Sequence, residues 1–189
     1  MSQPGKTVLA LDAHGGDQGL AVSVPAAVAA LTLDPRLQIV LVGDQAALEA
    51  PLDSALRSAG KPSRASALPR IRIHHADSVI AMDAKPAAVL RRGQGSSMWT
   101  AFELAAAGQA DACISGGNTA AMMVIGVKLL GMLPGIQRPA LMAYVPNVRG
   151  HTGLLDLGAN LHVSADQLAQ FAVMGAVTAH EVEGITEPR

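Results

Sequence analysis

The sequence predicts an α/β protein built on a mostly parallel sheet, and three observations carry that expectation. Short apolar runs of strand length alternate with stretches of helical periodicity along most of the chain. The early strands are continuously apolar, as strands covered on both faces are, instead of alternating. Glycine- or serine-rich turns at 13–17, 93–98 and 116–120 stand just ahead of predicted helices, where open parallel sheets bind ligands.

The elements follow in order. TVLALD, residues 7–12, is the first strand, and it leads through LDAHGGDQGL into a helix over 21–31. LQIVLV, 37–42, is the second, followed by a helix over 44–59 that Pro51 should break. RIRIHH, 70–75, is the third, with a short helix over 86–92 after it. A helix over 97–107, a buried strand DACIS at 111–115 and a helix over 118–130 continue the pattern. Beyond Pro134, PALMAYV and GLLDLG lie close enough for a local antiparallel pair. The last helix has the clearest limits: Ser164 and Gln167 form an S-x-x-Q capping box, and Gly184 follows the final turn. Leu168, Phe171, Met174 and Val182 mark its apolar side. GKPSRASALPR, 60–70, reads as a flexible connector, and the whole of 1–189 as a single α/β domain.

Composition narrows the function. Half of the 189 residues are apolar, which suffices for a packed core, and the net charge is only −1. Sparse charge and 2% aromatic residues argue against nucleic acid as a partner. The single cysteine, Cys113, has no internal disulfide partner, and MSQPGK does not resemble a secretory signal, so a cytoplasmic setting is expected. The uncharged run 112–127 falls short of the ~20 apolar residues a membrane span needs.

The chemistry concentrates in the three turns, AHGGD, GQGSSM and GGNTA. A helix start aims free N–H groups and a positive dipole end at the crevice beside a strand end, so such turns favour an anion, most often a phosphate. Gly15 and Gly16 supply unusual backbone angles; Ser96 and Ser97 add hydroxyls; Gly117, Asn118 and Thr119 add a backbone and two polar side chains. Asp12 and Asp17 would repel an anion unless they orient donors or take up a proton. A glycine turn with a capping residue is ordinary in α/β proteins, and only the three together argue for a site. They are expected on one edge of the sheet, with His14, Ser97 and Asn118 facing a common crevice. Met98 stands where G-x-G-x-x-G needs its third glycine and no P-loop lysine follows a turn, so a nucleotide is not indicated. His74 and His75 point to opposite faces of a strand and cannot share a metal. Cys113 reads as a buried structural thiol and Met122 and Met123 as core, while Arg91 and Arg92 either steer an acidic partner or form a solvated helix end, the second being slightly favoured. Neither a metal site nor a cofactor is expected.

LDAHGGDQGL, RRGQGSSM, DACISGGNTAAMM, GIQRPAL and LLDLGAN, in that order and spacing, resemble the acyl-carrier-protein:phosphate acyltransferases of bacterial phospholipid synthesis, the PlsX family. The resemblance runs from Lys6 to Arg189. It implies a Rossmann-like three-layer αβα fold, akin to phosphotransacetylases and isopropylmalate dehydrogenases, and a homodimer. It also implies transfer of a fatty acyl group from acyl carrier protein to inorganic phosphate, the acyl phosphate passing to a membrane glycerol-3-phosphate acyltransferase. On that likeness Asp12, Asp17, Ser97 and Asn118 are the catalytic candidates. Gly15, Gly16, Ser96, Ser97, Gly117, Asn118 and Thr119 would bind phosphate, and Asp156 and Asn160 are second-line candidates. Three departures stand out: His14 where the family usually has methionine, Gln94 where the serine turn usually carries lysine, and Ala120 where G-N-T-G is usual. The resemblance further implies an N-terminal portion of a longer architecture, whose later part holds a glycine- and glutamate-rich motif and a membrane-facing tip. On that expectation the 189 residues alone make little acyl phosphate and self-associate or bind a partner. Two other readings fit the same residues: a phosphotransacetylase-like enzyme using acyl-coenzyme A, and a non-catalytic paralogue that binds acyl carrier protein or a full-length partner.

Overall fold

The computed structural model describes residues 5–59, 69–160 and 162–188. Most of the connector, 60–68, lies outside the described residues. The chain divides into two compact units, Met1–Gly131 and Met132–Arg189.

In the first unit four strands, β1 (Thr7–Asp12), β2 (Leu37–Gly43), β3 (Ile71–His75) and β4 (Ala112–Ser115), form one all-parallel sheet in the order β3-β2-β1-β4. Helices lie on both faces, which makes the predicted Rossmann-like three-layer arrangement. On one side α1 (Leu20–Leu33) and α2 (Gln45–Ser58) bury Val24, Val28, Leu31, Leu48, Leu52 and Leu56 against Ile39, Leu41 and Ile71. The other side carries α4 (Ser97–Ala106), whose Ala101 and Leu104 pack on Ala10, Val40 and Val42. The short α3 (Pro86–Arg92) and α5 (Thr119–Leu130) extend that layer through Val89, Phe102, Ala121 and Ile125.

Pro51 does not break α2, contrary to the expectation from sequence. Leu48, Leu52 and Leu56, spaced by four and each at most 1% exposed, pin the helix to the sheet. Three buried leucines contribute about 1.5–3 kcal/mol each, more than the ~3 kcal/mol an interior proline costs. Asp44 caps the start through the Ala46 N–H at 3.0 Å.

The second unit is a two-stranded antiparallel ribbon, β5 (Met142–Asn147) and β6 (Gly150–Leu155), with α6 (Ala165–Glu183). The capping box is present, the Ser164 hydroxyl accepting the Gln167 N–H at 3.3 Å while Gln167 Oε1 accepts the Ser164 N–H at 2.9 Å. Of the predicted apolar side of α6 only Phe171 is buried; Leu168 is 56% and Val182 69% exposed. A ribbon of two strands is too narrow to cover the whole stripe.

Candidate functional site

Because the four strands run parallel, the chain leaves each of them at the same edge, and the turns after β1 and β4 are neighbours there. The register sets Asp12, the last residue of β1, beside Ser115, the last of β4. The Ser115 hydroxyl donates to Asp12 Oδ2 at 2.6 Å and accepts the Gly117 N–H at 3.0 Å. One hydrogen-bond relay therefore ties a carboxylate to the glycine turn that opens α5. Asp12 is 2% exposed, and its other oxygen, Oδ1, has no hydrogen-bond partner among the described residues.

The two turns touch backbone to backbone. Gly16 has φ +90°, a conformation glycine adopts freely, and a Cβ there would meet the Gly116 carbonyl oxygen at 3.2 Å. At Gly15 a Cβ would stand 2.7 Å from both Asp12 Oδ2 and Ser115 Oγ and 2.9 Å from the Gly117 nitrogen. Over these turns lies a cavity of about 380 Å³ lined by Asp12, Gly15, Gly16, Asp17 and Gly116, with Val22 and Ser23 of α1 beside them.

GQGSSM reaches the same edge by another route. The Asp77 N–H donates to the Gly95 carbonyl at 3.1 Å and the Ser97 N–H to the Ser78 carbonyl at 2.9 Å, which stitches the turn to the chain just past β3. Ser96 is spent on capping: its hydroxyl donates to the Gly93 carbonyl at 2.6 Å and accepts the Trp99 N–H at 3.3 Å. Ser97, fully buried, keeps an Oγ with no partner among the described residues. Asp12 shares the face of Ala10 by strand alternation, and Ala10 packs on α4. Met98 of α4 sits 2.8 Å from where a Cβ of Gly117 would be. Of these two unpartnered oxygens, Asp12 Oδ1 belongs to a residue that lines the cavity and Ser97 Oγ to the buried start of α4.

Asn118 is a brace. Its Oδ1 accepts the Ala121 N–H at 2.9 Å, and its Nδ2 donates to the carbonyls of Ala81 (3.3 Å), Met82 (2.9 Å) and Ala84 (2.9 Å). Both amide hydrogens are engaged, so what this turn offers a ligand is its backbone. Thr119 is the exposed first residue of α5, and Asp17 is exposed at the mouth of the cavity.

His14 turns away from the crevice expected for it, and neither Ser97 nor Asn118 lines the cavity over the turns. The His14 ring lies over Gly43, 2.5 Å from where a Cβ would be, and its Nε2 accepts the Asp44 N–H at 3.1 Å, on the α1–α2 side of the sheet. Gly43 follows Leu41 by two residues and so shares that face, and the absent side chain is the room the ring fills. His75 acts alongside, accepting the Gln45 N–H on Nδ1 at 3.2 Å with Nε2 3.1 Å from Asp77 Oδ1. Cys113 is half-buried, and burial pushes its thiol up.

In the second unit the Asp156 and Asn160 side chains meet. Asp156, at φ 63°, accepts on Oδ1 both the Asn160 N–H (3.1 Å) and its Nδ2 (2.9 Å). Asn160 also donates to the Pro139 carbonyl at 3.0 Å and accepts from Arg138 at 3.3 Å. A non-glycine residue in that backbone region is uncommon and this closed network holds it there.

Among the described residues no three histidine, cysteine or acidic side chains are grouped to hold a metal ion, and no helix is long and apolar enough to cross a membrane. A family model described as fatty acid synthesis protein matches residues 7–189. The chain belongs to this family. Its relatives include proteins named phosphate acyltransferase from Methylococcus capsulatus, 46% identical over 182 residues (96% of this chain, 51% of the relative), and from Pseudomonas syringae pv. syringae, 47% identical over 189 residues (100% and 52%). The one from Vibrio cholerae is 48% identical over 174 residues (92% and 49%). The chain spans about half the length of the curated relatives it matches. The matched span begins with β1, so the Asp12 turn, the serine turn and the GGN turn all lie inside the family's region.

Sequence reasoning missed Ser115, His75 and the segment braced by Asn118. The one signal for Ser115 was its place between an apolar strand and a glycine pair. Its partner lies 103 residues away, and only strand pairing brings the two together.

Proposed function

We propose that the chain contributes the phosphate-binding part of a phosphate acyltransferase, which moves a fatty acyl group from acyl carrier protein to inorganic phosphate. The observation that carries this reading is the contact of the two glycine turns after β1 and β4, over the buried Asp12–Ser115 relay and beside the cavity they line. The names of the relatives support the reaction class. In the proposed step an anionic phosphate oxygen attacks the thioester carbonyl carbon. The new C–O bond forms, the C–S bond breaks, the thiolate leaves with the carrier protein and takes a proton from water, and acyl phosphate remains. The backbone N–H groups of Gly16 and Thr119 hold the phosphate and the transient oxyanion, on a floor shaped by Gly15 and by Gly117, whose own N–H is taken up by the Ser115 hydroxyl. Ser97 supplies a hydroxyl, Asp12 an acceptor, and Asp17 shapes the mouth. Ser96 and Asn118 act as positioning residues, because their side chains cap α4 and α5. Asp156 and Asn160 keep a second-line role in the other unit.

The proposal extends to the setting. The enzyme works in the cytoplasm and hands acyl phosphate to a membrane glycerol-3-phosphate acyltransferase. Leu168, Val173, Val177 and Val182, each more than half exposed along α6, support a homodimer as the form that covers them.

Calorimetric titration with phosphate is the first test, and saturable binding is expected. The second is release of free carrier protein from long-chain acyl carrier protein, which should depend on phosphate and stay slow for these 189 residues alone. Release without phosphate, or no phosphate binding, would overturn the reading. Preference for acyl-coenzyme A would favour the phosphotransacetylase-like reading, and carrier binding with phosphate-independent inertness the non-catalytic one.

A further inference from the structure

Asp12 raises a problem for any anion site. A carboxylate at the floor repels a fully ionised oxyanion, yet the fold goes to some length to put one there. Ser115 holds Asp12 Oδ2 at 2.6 Å, the side chain is 2% exposed, and Oδ1 is left without a partner among the described residues. Ionised carboxylate oxygens only accept hydrogen bonds. The group that completes Oδ1 must therefore bring a hydrogen.

We infer that Asp12 selects an oxyanion that carries a proton, so that the site takes hydrogen phosphate and rejects sulfate. This rests on the phosphate reading above and names the selectivity of that same site. Hydrogen phosphate near neutrality has at least one P–OH, which donates to Asp12 Oδ1, while its remaining oxygens accept from backbone N–H groups of the cavity lining such as that of Gly16. An O–H···O⁻ contact of this kind is short and strong. Sulfate has the same shape and no proton at neutral pH. It would set lone pairs against the carboxylate and leave Oδ1 unpaired, a repulsive element that discriminates more sharply than an added attraction. The other side of the relay matters equally. Because Oδ2 already accepts from Ser115, the carboxylate cannot satisfy itself by turning, and Oδ1 stays the acceptor offered to the ligand. Ser115 is therefore the positioning residue for this selectivity, while Asp12 touches the ligand.

The test is calorimetric titration of the chain with phosphate, arsenate and sulfate at neutral pH, on the wild type, Asp12→Asn and Ser115→Ala, with melting curves to check folding. The wild type should bind phosphate and arsenate alike, and both at least about tenfold more tightly than sulfate. Asp12→Asn can donate to an unprotonated oxygen and should bring the phosphate-to-sulfate ratio towards one. Ser115→Ala should lower the ratio without abolishing it. Sulfate binding to the wild type within about twofold of phosphate, or an undiminished preference in Asp12→Asn, would overturn the inference and leave the phosphate site standing. Should Asp12→Asn fail to fold, the wild-type ratio and Ser115→Ala decide. If no oxyanion binds the wild type, the phosphate reading itself falls.

Discussion

Adding one methyl group at Gly15 tests the architecture of the site with little else disturbed. Gly15 carries no left-handed backbone strain, so its replacement by alanine acts through space alone. The new Cβ would stand 2.7 Å from Asp12 Oδ2, 2.7 Å from Ser115 Oγ and 2.9 Å from the Gly117 nitrogen, all closer than carbon tolerates. The backbone nitrogen cannot move without shifting the GGN turn, so the Ser115–Asp12 pair must part. Overpacking of a tight site costs about 1–3 kcal/mol, and loss of a hydrogen bond to a charged group about 1.5–3 kcal/mol. Because relaxation in one relieves the other, we expect Gly15→Ala to lower unfolding free energy by about 2–4 kcal/mol in urea titrations followed by circular dichroism. Ser115→Ala removes one of the clashing atoms and frees Asp12 to rotate. The double variant should accordingly be more stable than the sum of the singles predicts, by about 1 kcal/mol. A loss under about 0.5 kcal/mol for Gly15→Ala, or strict additivity, would show that the turns are not packed as described.

Three other outcomes follow from the same geometry. Asn118→Ala removes a helix cap and leaves carbonyls of the 81–84 segment unpaired, so it should cost about 2–4 kcal/mol of stability, and Asn118→Asp, which keeps the cap but sets an oxygen against those carbonyls, at least as much; chemical denaturation measures both. Gln94→Lys places a cation on the exposed serine turn and should tighten phosphate binding up to about fivefold by calorimetry, an effect that shrinks with added salt. Burial raises the Cys113 thiol, so the folded state holds this proton to higher pH than the unfolded state does. The associated stability is present below the ordinary thiol range and lost as pH rises above it. Iodoacetamide should label Cys113 more slowly than a free thiol at neutral pH, and Cys113→Ala should flatten the alkaline fall in melting temperature.

The amino-acid sequence by itself determined what local physics controls. The parallel α/β class followed from continuous apolar strands separated by helices, and the start of α6 from a serine and a glutamine three residues apart. Asp44, Ser96 and Asn118 cap the helices they precede, because a cap acts over two or three residues. The three turns were legible too, since glycine punctuation ahead of a helix is visible without a fold. Tertiary structure decided everything that depends on which strands are neighbours. Ser115 reaches Asp12 only because β4 pairs with β1 in one register, and one residue of slip would send the two side chains to opposite faces. His14 turns to the α1–α2 side because Gly43, at the end of β2, leaves room for its ring and Asp44, 30 residues along the chain, offers an N–H. Pro51 stays inside α2 because three leucines bury against a sheet the helical segment does not contain. In each case the deciding free energy comes from a contact between segments far apart in the chain. Periodicity and propensity, read over a dozen residues, do not contain it.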